Sequence, residues 1–200
     1  MSEHLEPEEG AFASGSIHYH LAVRRALAPP KEPTLSMVVL PSFDVERGVF
    51  VCTAGRRQPA RVVHSGRLTT QLWAAAWERD SSRQPTSEDF ERSRPAARWT
   101  SAELGEAAFQ AVRAAWDAAL LRARWQEAQR LGLDGTNFHF VAGSRSGRVW
   151  SPEPGTPCGE LVALADALAQ LTELPEDVRP EHEDSLEKRA QHVATLFGRA

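Results

Sequence analysis

From Ser16 the chain alternates strictly: Ile17, Tyr19, Leu21 and Val23 fall on one side, and His18, His20, Ala22 and Arg24 on the other. Successive side chains of a strand point to opposite faces, so this period of two predicts a half-buried strand. Ala28 to Pro33 carries three prolines and breaks it. Leu35 to Leu40 is apolar at nearly every position, which predicts a central strand covered on both faces. Val49–Thr53, Arg61–His64 and Leu68–Trp77 read as further short strands, with Ser65-Gly66 as a hairpin turn. The first 77 residues thus predict an antiparallel β-meander of about five strands.

The pattern then lapses. Residues 79–97 are polar, with Phe90 the only large apolar side chain. Too little apolar surface is available there to offset the entropy of ordering, so a mobile loop is expected, and protease should cut it first. Beyond it Thr100 and Glu103 have capping-box spacing, and Trp99 and Leu104 fit a hydrophobic staple. Phe109, Val112, Trp116, Leu120 and Ala123 follow at helical steps, and Gly132 suits the position after a helix end. This predicts a helix over about 101–131, or a shorter kinked pair.

Thr136–Val141 and Arg148–Trp150 predict a second hairpin turning at Gly143–Gly147. Thr156-Pro157 has the chemistry of an N-cap and first helical residue, and Leu161, Leu164, Ala165, Leu168 and Leu171 make one apolar stripe. A last helix is expected over about 181–197, with Leu186, Ala190, Val193 and Phe197 inward. The fold class is therefore α+β. The N-terminal half and the 136–150 hairpin form an antiparallel sheet that packs against two to three helices. Residues 1–14 read as a flexible acidic tail and 15–200 as one domain.

Composition narrows function mainly by exclusion. The chain has 200 residues, 42% apolar and 25% charged, enough for a core without staples. Its formal charge is −4, and neither half has the basic surplus that phosphate-backbone binding demands, so nucleic acid is not an expected partner. Only two of the 23 basic residues are lysines and there are 30 alanines, which reads as the codon bias of a GC-rich bacterial genome. The arginines are accordingly not taken as chosen for bidentate chemistry. No apolar run approaches the ~20 residues that span a bilayer, and Met1–Gly10 lacks a secretory core, so a cytoplasmic protein without membrane association is expected.

Candidate chemistry is sparse. His18 and His20 would share a strand face, and His139 could join them if the hairpins pair, giving three imidazoles for zinc. No carboxylate sits at completing spacing, so neither a metal nor another cofactor is expected. His182-Glu183 has Leu186 where H-E-x-x-H needs its second histidine, and Ser185–Lys188 is a chance S-x-x-K. Gly143–Gly147 precedes a strand, not the helix a phosphate cradle requires. Cys52 reads as an inert strand cysteine, and Cys158, at a helix start, is the one thiol with a reason to be acidic.

What remains is a charged surface. Glu176, Asp177, Glu181, Glu183, Asp184 and Glu187 form an acidic stretch suited to steering a basic protein partner. The expected function is a non-enzymatic interaction module, such as an immunity-type inhibitor or adaptor in a bacterial system. The competing reading is a small hydrolase or transferase with a dispersed site drawn from His18, His20, His139 and Asp134.

Overall fold

The structure is a computed structural model that describes residues 4–7, 14–54, 60–79, 81–125 and 134–199. Seven antiparallel strands form one sheet. In chain order they are β1 (Glu6–Pro7), β2 (Pro33–Pro41), β3 (Arg47–Ala54), β4 (Ala60–Leu68), β5 (Ala97–Leu104), β6 (Thr136–Ala142) and β7 (Arg145–Trp150). Their order across the sheet is β1-β7-β6-β2-β3-β4-β5. The helices are α1 (Ser14–Ala26), α2 (Leu72–Trp77), α3 (Ser87–Arg92), α4 (Glu106–Leu121), α5 (Pro157–Leu171) and α6 (Arg179–Arg199).

The α+β class holds, and the N-terminal strands do pair with the 136–150 hairpin, through β2 against β6. The two-sided reading of Leu35–Leu40 also holds. Leu35, Met37 and Val39 enter a large core with α4, α5 and α6. Val38 and Leu40 enter a smaller one with α1, α2 and α3. The sheet is thus the middle of three layers. The second hairpin, the Thr156 N-cap accepting from the Gly159 amide, and the last two helices lie close to where the pattern places them.

Four expectations are corrected. Residues 16–24 are helix, not strand. Tyr19, Ala22, Val23, Ala26 and Leu27 turn inward while Leu21 is 44% exposed, so the steps of three and four prevail over the alternation. Residues 72–77 are likewise helical: three alanines favour the helix, and the buried Glu46 carboxylate accepts the Leu72 amide at its first turn. Ser65-Gly66 is no turn, because β4 runs straight through it. A Cβ at Gly66 would lie 2.7 Å from the Trp99 ring, so the glycine serves close approach across the sheet.

The fourth correction is the capping box. Thr100 and Glu103 lie inside β5, and α4 begins only at Glu106 with Gly105 as its N-cap. The same stretch carries an alternation, Arg98, Thr100, Ala102 and Leu104 against Trp99, Ser101 and Glu103, and pairing with β4 selects it. The expected helix end at 131 and Gly132 lie outside the described residues. The Phe109–Leu120 stripe is inward as read, with Trp116 fully buried, edge-on to Phe140 and donating its indole N–H to the Ser36 carbonyl.

Two segments read as unstructured contain ordered elements. Leu5 is fully buried and Glu6 pairs with Arg148 of β7 at 3.3 Å. Within 79–97, Thr86 and Asp89 form a reciprocal capping box on α3, and Phe90 is fully buried against Tyr19 and Trp73. The single aromatic that interrupts the polar run is what anchors it.

Trp116→Ala is expected to cost about 3–5 kcal/mol, as for other buried large-to-small changes. Chemical denaturation measures it, and an unchanged midpoint would show that this face of α4 is not the core. Asp89 yields a pH-dependent expectation. Hydrogen bonds from Arg83, then from the Thr86 amide and hydroxyl, hold its carboxyl well below the usual carboxylate range. The folded chain therefore binds this proton more weakly than the unfolded chain. The resulting stabilisation is present above the unfolded pKa of about 3.9 and is lost as pH falls through the lower folded value. Asp89→Asn should lower the thermal midpoint at pH 7, and its difference from wild type should shrink below pH ~4. A difference that stays constant with pH would assign the effect to shape instead of charge.

Candidate functional site

On the face covered by α5 the strand registers align three rows. Leu35, Val51, Val63 and Ala102 form the first; Met37, Val49, Ser65 and Thr100 form the next; Val39, Arg47, Arg67 and Arg98 form the last. The surface of β4 and β5 thus passes from apolar through hydroxyl to guanidinium, and that of β3 from valine directly to guanidinium. Three arginines stand side by side on adjacent strands, where opposed Cβ atoms are typically about 4.5–5.5 Å apart. Like charges so placed repel, and the structure supplies carboxylates against them.

Arg47 donates to Asp166 of α5 at 3.1 Å, and Arg67 to Asp44 at 3.1 Å. Arg98 is exposed and makes no ion pair among the described residues. The Arg67–Asp44 pair is open to solvent on both sides, so it holds Arg67 only weakly. The Asp44 carboxyl is kept below its ordinary range first by the Val45 amide and then by Arg67. Burial pushes the Asp166 carboxyl up, and Arg47 opposes that shift.

A cavity of about 280 Å³ lies under α5 between Val39, Arg47, Ser65 and Asp166. It adjoins a second of about 510 Å³ reached by Arg98 and Thr100, and both are lined by Ser65, Arg67 and Glu173. The outer wall is pinned at the end of α5. The Thr172 hydroxyl donates to the Ala169 carbonyl, so the hydroxyl that bridges Thr100 to Thr172 at 2.6 Å is donated by Thr100. The chemistry this cleft offers is recognition: guanidinium forks and the Ser65 hydroxyl, donors that carboxylates and phosphates accept from.

The residues singled out by sequence are placed elsewhere. His18 is exposed on α1, whereas His20 meets the buried His139, ring centroids 4.9 Å apart. Residues two apart lie on opposed sides of a helix, so turning 16–24 from strand to helix separates His18 from the other two. Among the described residues no group of three His, Cys, Asp or Glu is placed to hold a metal. Asp134 is exposed, and His182 bonds the Ala167 carbonyl at 2.8 Å.

Beside His20, the Tyr19 hydroxyl donates to Glu46 at 2.6 Å inside the smaller core. Burial raises the Glu46 carboxyl, with the Tyr19 and Leu72 hydrogen bonds pulling it back. The Tyr19 hydroxyl is raised by burial and then by the Glu46 charge. Both polar ends are satisfied by fold contacts and line no described cavity.

The acidic stretch divides in two. Glu183 accepts from the Gly105 amide at 2.9 Å, Glu187 accepts from Gln191, and Glu176 stands 4.0 Å from Arg179. Asp177, Glu181 and Asp184 point to solvent. Cys158 is buried, so the low pKa considered for a helix start is overruled; burial pushes its thiol up to about 12. Cys52 is buried with its thiol likewise raised, as expected for a strand cysteine.

The arginine row is invisible in the sequence. Each arginine sits at a strand position of correct parity, but only the register brings the three together, and the capping-box reading of β5 hides the third. No family model matches the chain, and neither a curated protein nor a solved structure matches it.

The cysteines give a direct check on this packing. The folded chain should leave both thiols unmodified by a thiol-specific reagent at pH 8, and denaturant should expose two per chain. Labelling of Cys158 before unfolding would show that the start of α5 is open.

Proposed function

We propose that the chain is a non-enzymatic interaction module, of the inhibitor or adaptor type, that holds an acidic segment of a protein partner in the α5 cleft. The observation that supports this reading is the Arg47–Arg67–Arg98 row at the cleft mouth, backed by Ser65 and Thr100. Arg47 is held by Asp166 on α5, whereas the weakly held Arg67 is free to exchange Asp44 for a competing carboxylate. Arg98 offers a further fork. Such groups steer encounter and set specificity more than they add raw affinity. The cleft replaces the acidic stretch as the preferred contact surface, because Glu183 is spent on the start of α4 and Glu187 on Gln191 within α6.

The test sets the two surfaces against each other. Tagged chain is recovered from the cells that encode it, and bound partners are quantified by mass spectrometry. Arg67→Glu with Arg98→Glu should reduce the retained partner roughly tenfold or more, the scale for reversing charges in a contact. Asp177→Asn, Glu181→Gln and Asp184→Asn together should leave it unchanged. Loss with the second set and retention with the first would overturn the proposal in favour of the acidic surface.

A further inference from the structure

Among the described residues the sheet ends in two unlike edges. One is β1, two residues long and closed by Pro7. A short strand with proline is how proteins blunt an edge against pairing. The other is β5, eight residues long, free of proline, and paired with β4 in unbroken register from Leu104 back to Ala97. A regular edge of this length presents a row of outward amides and carbonyls ready for another strand.

The middle of β5 is exposed as well, although the Thr100 hydroxyl is bonded to Thr172 on the α5 face. Arg98, Thr100, Trp99 and Ser101 are all exposed, the first two on the α5 face and the others on the opposite face. Trp99 is nevertheless held still: its ring covers Gly66 and lies 5.8 Å from Phe50, centroid to centroid. An ordered, part-exposed tryptophan on an open edge is a contact residue prepared in advance.

We propose that β5 pairs antiparallel with β5 of a second copy of this chain, extending the sheet across a two-fold axis at Thr100. A two-fold perpendicular to a continuous sheet keeps each residue on its own face, so opposed residues must have like parity. Centring on Thr100 satisfies this and sets Thr100 against Thr100, Trp99 against Ser101, and Arg98 against Ala102. The two Trp99 rings become diagonal neighbours, about 7–8 Å apart and within reach of aromatic side chains. The two Arg98 residues sit four positions out of register, about 13 Å apart, beyond the screening length at physiological salt. Centring on Ser101 instead would move the tryptophans four positions apart and leave their exposed rings uncovered. Arg98 and Thr100 also border the cleft, whereas Trp99 lies on the opposite face of the sheet, so a Trp99 variant reports on this pairing apart from what the cleft binds.

The experiment uses the full chain. Sedimentation velocity from low to high micromolar concentration is expected to show a monomer–dimer equilibrium, and Trp99→Ala should weaken the dimer roughly tenfold. Thr100→Cys, at the axis, brings two Cα atoms to the 4.4–6.8 Å that a disulfide requires, so mild oxidation should cross-link it. Arg98→Cys, about 13 Å from its mate, should not cross-link. Cys52 and Cys158 are buried and do not interfere. A wild-type monomer at every concentration overturns the proposal. So does a dimer in which the Thr100→Cys variant fails to cross-link, or in which the Arg98→Cys variant cross-links equally well, since the axis would then lie elsewhere.

Discussion

The architecture depends on β2 having no polar face. Leu35, Met37 and Val39 require cover on one side, Val38 and Leu40 on the other. A strand of this kind cannot sit at the surface of a two-layer protein, because exposing either row forfeits roughly 25 cal/mol for each Å² left wet. Both helical layers follow from that demand. The larger is built from three long helices, with α4 against α6 and α5 closing over the sheet. The smaller is assembled from short helices, and its contents are correspondingly mixed: apolar side chains together with Glu46, Tyr19 and His139.

The same demand explains where the cleft forms. α5 follows the sheet over its apolar rows and crosses β3 and β4 near its own carboxyl end. There the rows turn to hydroxyl and arginine, and full apolar packing stops. The acids on and just after α5, Asp166 and Glu173, face that polar strip. Arg47 and Asp166, each half-exposed, meet there in one ion pair, which relieves part of the repulsion among the arginines and opposes the upward push of burial on the Asp166 carboxyl. A recognition surface thus arises where core packing gives out.

Legibility in the sequence tracked how many physical signals agreed. The β2 strand, the 136–150 hairpin and the last two helices were readable because periodicity, turn chemistry and capping pointed the same way. Around 16–24 the alternation of Tyr19, Leu21 and Val23 competed with the helical spacing of Tyr19, Val23 and Leu27, and only a partner surface decides between them. Thr100 and Glu103 have the spacing of a cap, yet a cap needs a helix to follow at once, and β4 offered these residues a better bonded alternative. The cleft was illegible for a different reason. Arg47, Arg67 and Arg98 are each ordinary in their local sequence, and their meaning lies wholly in strand register.

The Glu46 carboxylate joins three pieces at one point: the hydroxyl of Tyr19 on α1, the entry to β3, and the first amide of α2. The layer it organises shares little with the larger core except the sheet between them. Its amides should therefore exchange with solvent deuterium as a separate, earlier-opening cooperative unit, while α4, α5 and α6 open only with the whole chain. One buried acid would then set the boundary between two folding units within a single continuous sheet.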